Sequence, residues 1–163
     1  MKRYGTLIAA ALCGVTLDCT MFAEWNIFGA KPWLLLAVAL AACAVLDVQS
    51  AILTGLVGGL MIDALCNSYI GLTAACYLVS IAALWVLIRK NHPKLLILGL
   101  YAAFVTVLPA PIEWLYSYLA GAHYGTGSTF LAEVLPSAAL TGLCVLPLCK
   151  LFDWAKKSHR DRI

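Results

Sequence analysis

Four carboxylates, Asp18, Asp63, Glu113 and Glu133, stand at the ends of long apolar runs. In a dry setting such groups can hold a cation, pass a proton, or act as a pair in acid–base hydrolysis. One aspartate at mid-membrane costs roughly 2.5–3.5 kcal/mol, and less toward the headgroups. Four together predict a shared polar region at one face, an outer polar cluster of Asp18, Glu113 and Glu133 with Asp63 nearby and Glu24 in the adjoining loop. Three readings stand open for these acids. They can be helix-end groups that reach water or cap backbone, a polar cavity for a cation, proton or small cationic ligand, or a polar surface for a membrane partner. Lys31 and His123 are the basic residues available to pair with them on that side.

Other chemistry is sparse. Of seven cysteines, Cys13, Cys43, Cys76, Cys144 and Cys149 lie inside apolar runs with no C-x-x-C spacing and no histidine partner, and read as small hydrophobes. Cys19 and Cys66 both fall toward the acidic face, and a bridge between them is conceivable. No serine or cysteine is spaced informatively from a histidine, and no metal motif, phosphate loop or nucleotide fingerprint occurs. Asp18 and Asp63 could in principle form an aspartyl protease dyad, but they lack its flanking motifs. The expectation is a non-catalytic protein without metal or cofactor.

These residues must be carried by membrane helices. The 163 residues are 63% hydrophobic and 12% charged, against about 45–50% and about 25% in soluble domains. Residues 54–71 read T-G-L-V-G-G-L-M-I-D-A-L-C-N-S-Y-I-G and place Gly55, Gly59 and Asp63 at intervals of four, on one helical face. Glycines so spaced let another backbone approach closely in lipid. Gly58 adjoins that face, and Gly71 follows it. This stripe predicts a tightly packed helix with one acid in its interface.

Spans are expected at residues 4–22, 70–88, 95–119 and 130–152, each near the ~20 residues needed to cross. The run from Trp33 to Leu65 is too long for one crossing, since 33 residues make a helix of about 50 Å. It is expected to divide near Asp47-Val48-Gln49-Ser50 into short spans at about 32–47 and 49–65. Ten basic residues form three clusters: Lys2 and Arg3; Arg89, Lys90 and Lys94; and Lys150, Lys156, Lys157, Arg160 and Arg162. Six spans with both termini inside put all three clusters on the cytoplasmic face, as the positive-inside rule requires. Five spans would split them. Clusters of this kind suit lipid headgroups, and nucleic acid is not an expected partner. The outer loops then fall at 23–31, 66–69 and 120–129. An outer aromatic belt is expected from Trp25, Trp33, Tyr69, Tyr116, Tyr118 and Tyr124, with Trp85 and Trp154 at the inner face. Pro109-Ala110-Pro111 should kink span five, and Pro136 and Pro147 interrupt hydrogen bonds in span six. The fold class is an all-α polytopic membrane protein forming a single integral-membrane domain, 1–163.

Three blocks carry a resemblance: Phe28-Gly29-Ala30-Lys31-Pro32-Trp33-Leu34-Leu35-Leu36, then Gly55 to Asp63, then Ile70-Gly71-Leu72. Together they resemble the rod shape-determining protein MreD family over about residues 20–90. Beyond that the likeness lies in length, span count and tail charge. Two positions depart from the pattern: Asp18 stands where a neutral polar residue is expected, and the 47–50 turn lacks a basic-glycine pair. The short glycine-rich spans also resemble substrate-binding subunits of energy-coupling-factor vitamin transporters. The MreD resemblance implies an inner-membrane scaffold of the bacterial cell-elongation machinery that makes rod-shaped peptidoglycan. It implies an MreC-like single-span partner and, through it, the RodA glycosyltransferase, a class B penicillin-binding transpeptidase and MreB. The transporter resemblance implies instead a vitamin-binding or proton-coupled subunit.

Overall fold

The computed structural model describes residues 2–20, 32–66, 71–91, 94–119 and 127–160. These form seven helices: α1 Lys2–Cys19, α2 Leu34–Val45, α3 Val48–Cys66, α4 Leu72–Asn91, α5 Leu95–Val107, α6 Ala110–Leu119 and α7 Gly127–Arg160. No strand occurs among the described residues. Four segments are long and apolar enough to cross a membrane: Val48–Leu65, Leu72–Lys90, Leu95–Ile112 and Ala132–Lys157. Two apolar helices, Leu7–Cys19 within α1 and the whole of α2, are shorter.

The breaks have local causes. The expected division of the 33–65 run falls at Leu46-Asp47, where α2 stops and α3 restarts at Val48. Asp47 is a residue type favoured just before a helix, and its carbonyl accepts the first bond of α3, from Ala51 N–H at 3.1 Å. In span five the kink is a full break at Leu108-Pro109. Pro109 and Pro111 remove two donors two residues apart. The ladder tightens there, with Leu108 N–H on Val105 O at 3.2 Å, and restarts with Ile112 N–H on Pro109 O at 2.9 Å. In contrast, α7 runs continuously through the isolated Pro136 and Pro147, because a single missing donor does not end a helix whose neighbours hold it. It also extends at both ends beyond the expected 130–152.

At the centre lies α2. Leu35 through Cys43 are buried without interruption, so this helix is enclosed on every face. Its 12 residues span only about 18 Å. Around it pack α1, α3, α4 and α7. Small residues set the tightest crossings. A Cβ on Gly142 of α7 would lie 2.7 Å from Gly99 O and 2.8 Å from the Ala103 Cβ of α5. Gly99 and Ala103, like Ala138 and Gly142, are small residues four apart, the spacing that admits close backbones.

Candidate functional site

Two aspartates organise one end of the bundle by the same device. On α1, a Cβ at Gly14 would lie 3.2 Å from Leu35 Cα, so the helix meets the backbone of α2 at its first turn. One turn later, Asp18 accepts from Leu34 N–H at 3.0 Å and Leu35 N–H at 2.9 Å. On α3, a Cβ at Gly59 would lie 2.6 Å from Ala74 Cα and 2.9 Å from Ala74 N. One turn later, Asp63 accepts from Gly71 N–H at 2.8 Å and Thr73 N–H at 3.1 Å. Each G-x-x-x-D therefore clasps the helix that follows it. The glycine admits the next backbone, and the acid takes the exposed N–H groups at its positive end. Gly71 adopts φ +100°, a left-handed backbone that glycine accommodates readily and that accompanies its N–H bond to Asp63.

Both ends of α2 are also met by α7. Trp33, which precedes it, donates its N–H to Thr141 Oγ1 of α7 at 3.1 Å, while that hydroxyl donates to Ser137 O at 2.7 Å. At the other end, Lys156 Nζ of α7 donates to Val45 O at 3.1 Å. An anion thus sits at the positive end of α2 and a cation at its negative end. Lys156→Met keeps the aliphatic stem and removes the cation, and should lower the melting temperature in detergent by the equivalent of about 0.3–1 kcal/mol. Lys157→Met should leave it unchanged; an equal loss for both would show that the Val45 contact is not the cause.

No protein-family model matches this chain, and neither the curated proteins nor the solved structures compared with it give a match.

The stripe on α3 makes the close approach its spacing implies, and makes it inside the chain. A Cβ at Gly55 would lie 2.6 Å from Ile81 Cδ1 of α4, and one at Gly58 would lie 2.5 Å from Leu35 Cδ2 of α2. Gly55, Gly58, Gly59 and Asp63 are all buried, so they stand behind any contact with another protein. What α3 leaves outward is apolar: Leu53, Leu56, Val57, Leu60 and Met61 are exposed. Between that face and α1 runs a groove of about 310 Å³, with Ile8, Leu12 and Val15 on one wall and Leu53, Val57 and Met61 on the other.

Of the three readings open for the acids, Asp18 and Asp63 fit the capping of backbone, since both accept from backbone N–H groups. Glu133 is exposed, and its carbonyl accepts from Ser137 Oγ. The side chain of Glu113 lies outside the described residues, as do Glu24, Lys31 and His123. Among the described residues, no three acid, histidine or cysteine side chains gather as a metal site would require. The side chain of Cys66 lies outside the described residues, and with it the conceivable bridge to Cys19. Of the expected aromatic belt, Trp33 is half-buried and Tyr118 is exposed and stacked on Trp114 at 5.8 Å. Trp25, Tyr69, Tyr124 and the Tyr116 side chain lie outside the described residues.

The Gly14–Asp18 clasp is the feature that sequence reading passes over. Its signal is present, because Gly14-Val-Thr-Leu-Asp18 repeats the spacing of Gly59-Leu-Met-Ile-Asp63. Thr141 and Lys156 carry no such signal. Their partners lie 108 and 111 residues away, and only packing brings them together.

Proposed function

We propose that this chain is a non-catalytic, six-span scaffold of the bacterial inner membrane, with both termini cytoplasmic, in the machinery that builds rod-shaped cells. On this reading it holds an MreC-like single-span partner, and through it the RodA glycosyltransferase, a class B penicillin-binding transpeptidase and MreB. The resemblance over residues 20–90 motivates the reading. The observation that carries it is the arrangement of α3: its small-residue face is spent on α2 and α4, and a continuous apolar face borders the α1–α3 groove. Apolar side chains face outward on other helices too, and what distinguishes this side is the groove, a recess into which a partner helix in lipid can pack. The transport reading draws its support from the outer acids, of which Asp18 and Asp63 accept from backbone N–H groups at helix starts.

The test uses residues that face outward, so that folding is spared. Leu53→Trp with Val57→Trp should fill the groove and abolish co-purification of an MreC-like protein. Leu100→Trp, at a 70% exposed position on α5, should leave the complex intact. Retention of the partner by the groove-filled protein would remove α3 as the docking face. A vitamin retained through purification would favour the transporter instead.

A further inference from the structure

The basic residues converge on one end of the bundle, and hydrogen bonds and crossings fix which end. Lys156 on Val45 O sets the C-terminal part of α7 beside the last turn of α2, next to the start of α3. The contacts of Gly55 with Ile81 and of Gly59 with Ala74 run α3 antiparallel to α4, which brings Arg89 and Lys90 to that same end. Lys94 follows at the start of α5. Gly99 against Gly142 and Leu146 sets Lys94 level with the turn that carries Lys150. Arg89, Lys90, Lys94, Lys150, Lys156 and Lys157 therefore form one collar, against Asp47 and Asp153 as the acids described there.

Two indoles lie in this collar. Trp154 is 72% exposed and Trp85 is 38% exposed. The Arg89 guanidinium lies 5.2 Å from the Trp85 ring, an arrangement that holds the cation at the depth of an amphipathic ring. On α7, Lys150, Trp154 and Lys157 are spaced by four and three, on one exposed helical face. A large indole left in water between two lysines gains nothing. The same indole among headgroups, with lysines beside phosphates, is favourable on both counts.

We propose that this basic collar is a binding surface for anionic phospholipid headgroups. Lys150, Trp154 and Lys157 on α7, with Arg89 and Lys90 on α4, make the contact. Lys156 is held back as the cap of α2, so the two lysine roles on neighbouring residues are separable. The pairing of a net positive end with exposed indoles selects an anionic bilayer surface over a soluble anion, which would have no use for the aromatic rings.

Titration of the purified full-length protein in neutral detergent tests this, with phosphatidylglycerol, phosphatidylcholine and inorganic phosphate as separate probes and the melting temperature as readout. Phosphatidylglycerol should raise the melting temperature in a salt-sensitive way, and neither phosphatidylcholine nor phosphate should. The double variant Lys150→Gln, Lys157→Gln, altered at two exposed positions, should weaken the phosphatidylglycerol response roughly 30-fold in concentration. Lys156→Met should lower the starting melting temperature and keep the lipid response. Equal stabilisation by phosphatidylcholine or by phosphate, or an undiminished response in the double variant, would overturn the proposal. Loss of the response in Lys156→Met alone would overturn the division of roles.

Discussion

Gly59→Leu should prevent α3 and α4 from closing on each other. The new side chain would begin 2.6 Å from Ala74 Cα and 2.9 Å from Ala74 N, and backbone cannot rotate away as a flexible side chain can. The expected cost is about 3 kcal/mol or more, at the upper end for overpacking. The purified variant should show a melting temperature lower by many degrees, or fail to survive extraction. Gly5→Leu is the matched control. Nothing lies within 4 Å of its Cβ, and leucine is the better helix former, so stability should hold or rise slightly. If Gly59→Leu melts with the unaltered protein, the α3–α4 crossing is not as close as described. A variant that inserts but melts early would also lose any partner, which is why the docking test is placed on Leu53 and Val57.

Asp63→Ala should be the most damaging single change among the acids. Asp63 is 0% exposed and accepts from the N–H groups of Gly71 and Thr73. Alanine strands both donors where water cannot replace the carboxylate, at a cost of about 2–3 kcal/mol. Asp63→Asn keeps one oxygen acceptor and loses the charge, and should cost roughly half as much. Hydrogen exchange offers a local check, since the amides of Gly71 and Thr73 should exchange faster in Asp63→Ala while mid-helix amides of α7 stay protected. Equal melting temperatures for the Asp63→Ala variant and the unaltered protein would show that the cap contributes nothing. An ion-binding role would give a different signature, a cation-dependent melting temperature that Asp63→Ala abolishes.

Much of the helical layout is legible along the chain. Pro109 and Pro111 mark the break between α5 and α6 because proline lacks the N–H that a helix needs. The over-long 33–65 run marks the α2–α3 division because a helix near 50 Å cannot fit one crossing. The Gly55–Gly59 spacing marks a close crossing because two missing side chains on one face leave room for a backbone.

The partners of those features are not legible, and the reason is compositional. Along α2 and α3 nearly every residue is apolar, so no polar face distinguishes the side that meets protein from the side that meets lipid. The stripe accordingly announces close packing without saying that α4 occupies it. The acids announce an expensive group without saying what it accepts, because a carboxylate that caps a helix and one that holds a cation look the same in sequence. The length of α2 shows that it cannot cross alone, yet not that four helices would enclose it.

The sequence by itself determined the composition of a membrane protein, the helix breaks and the small-residue faces, since these depend on local backbone chemistry and on spacing within one helix. Only the tertiary structure decided that Asp18 and Asp63 each clasp the helix that follows. It alone decided that α2 is central, with Asp18 and Lys156 at its opposite ends. Each of those depends on residues brought together from distant helices, and in an apolar chain packing supplies that information while periodicity does not.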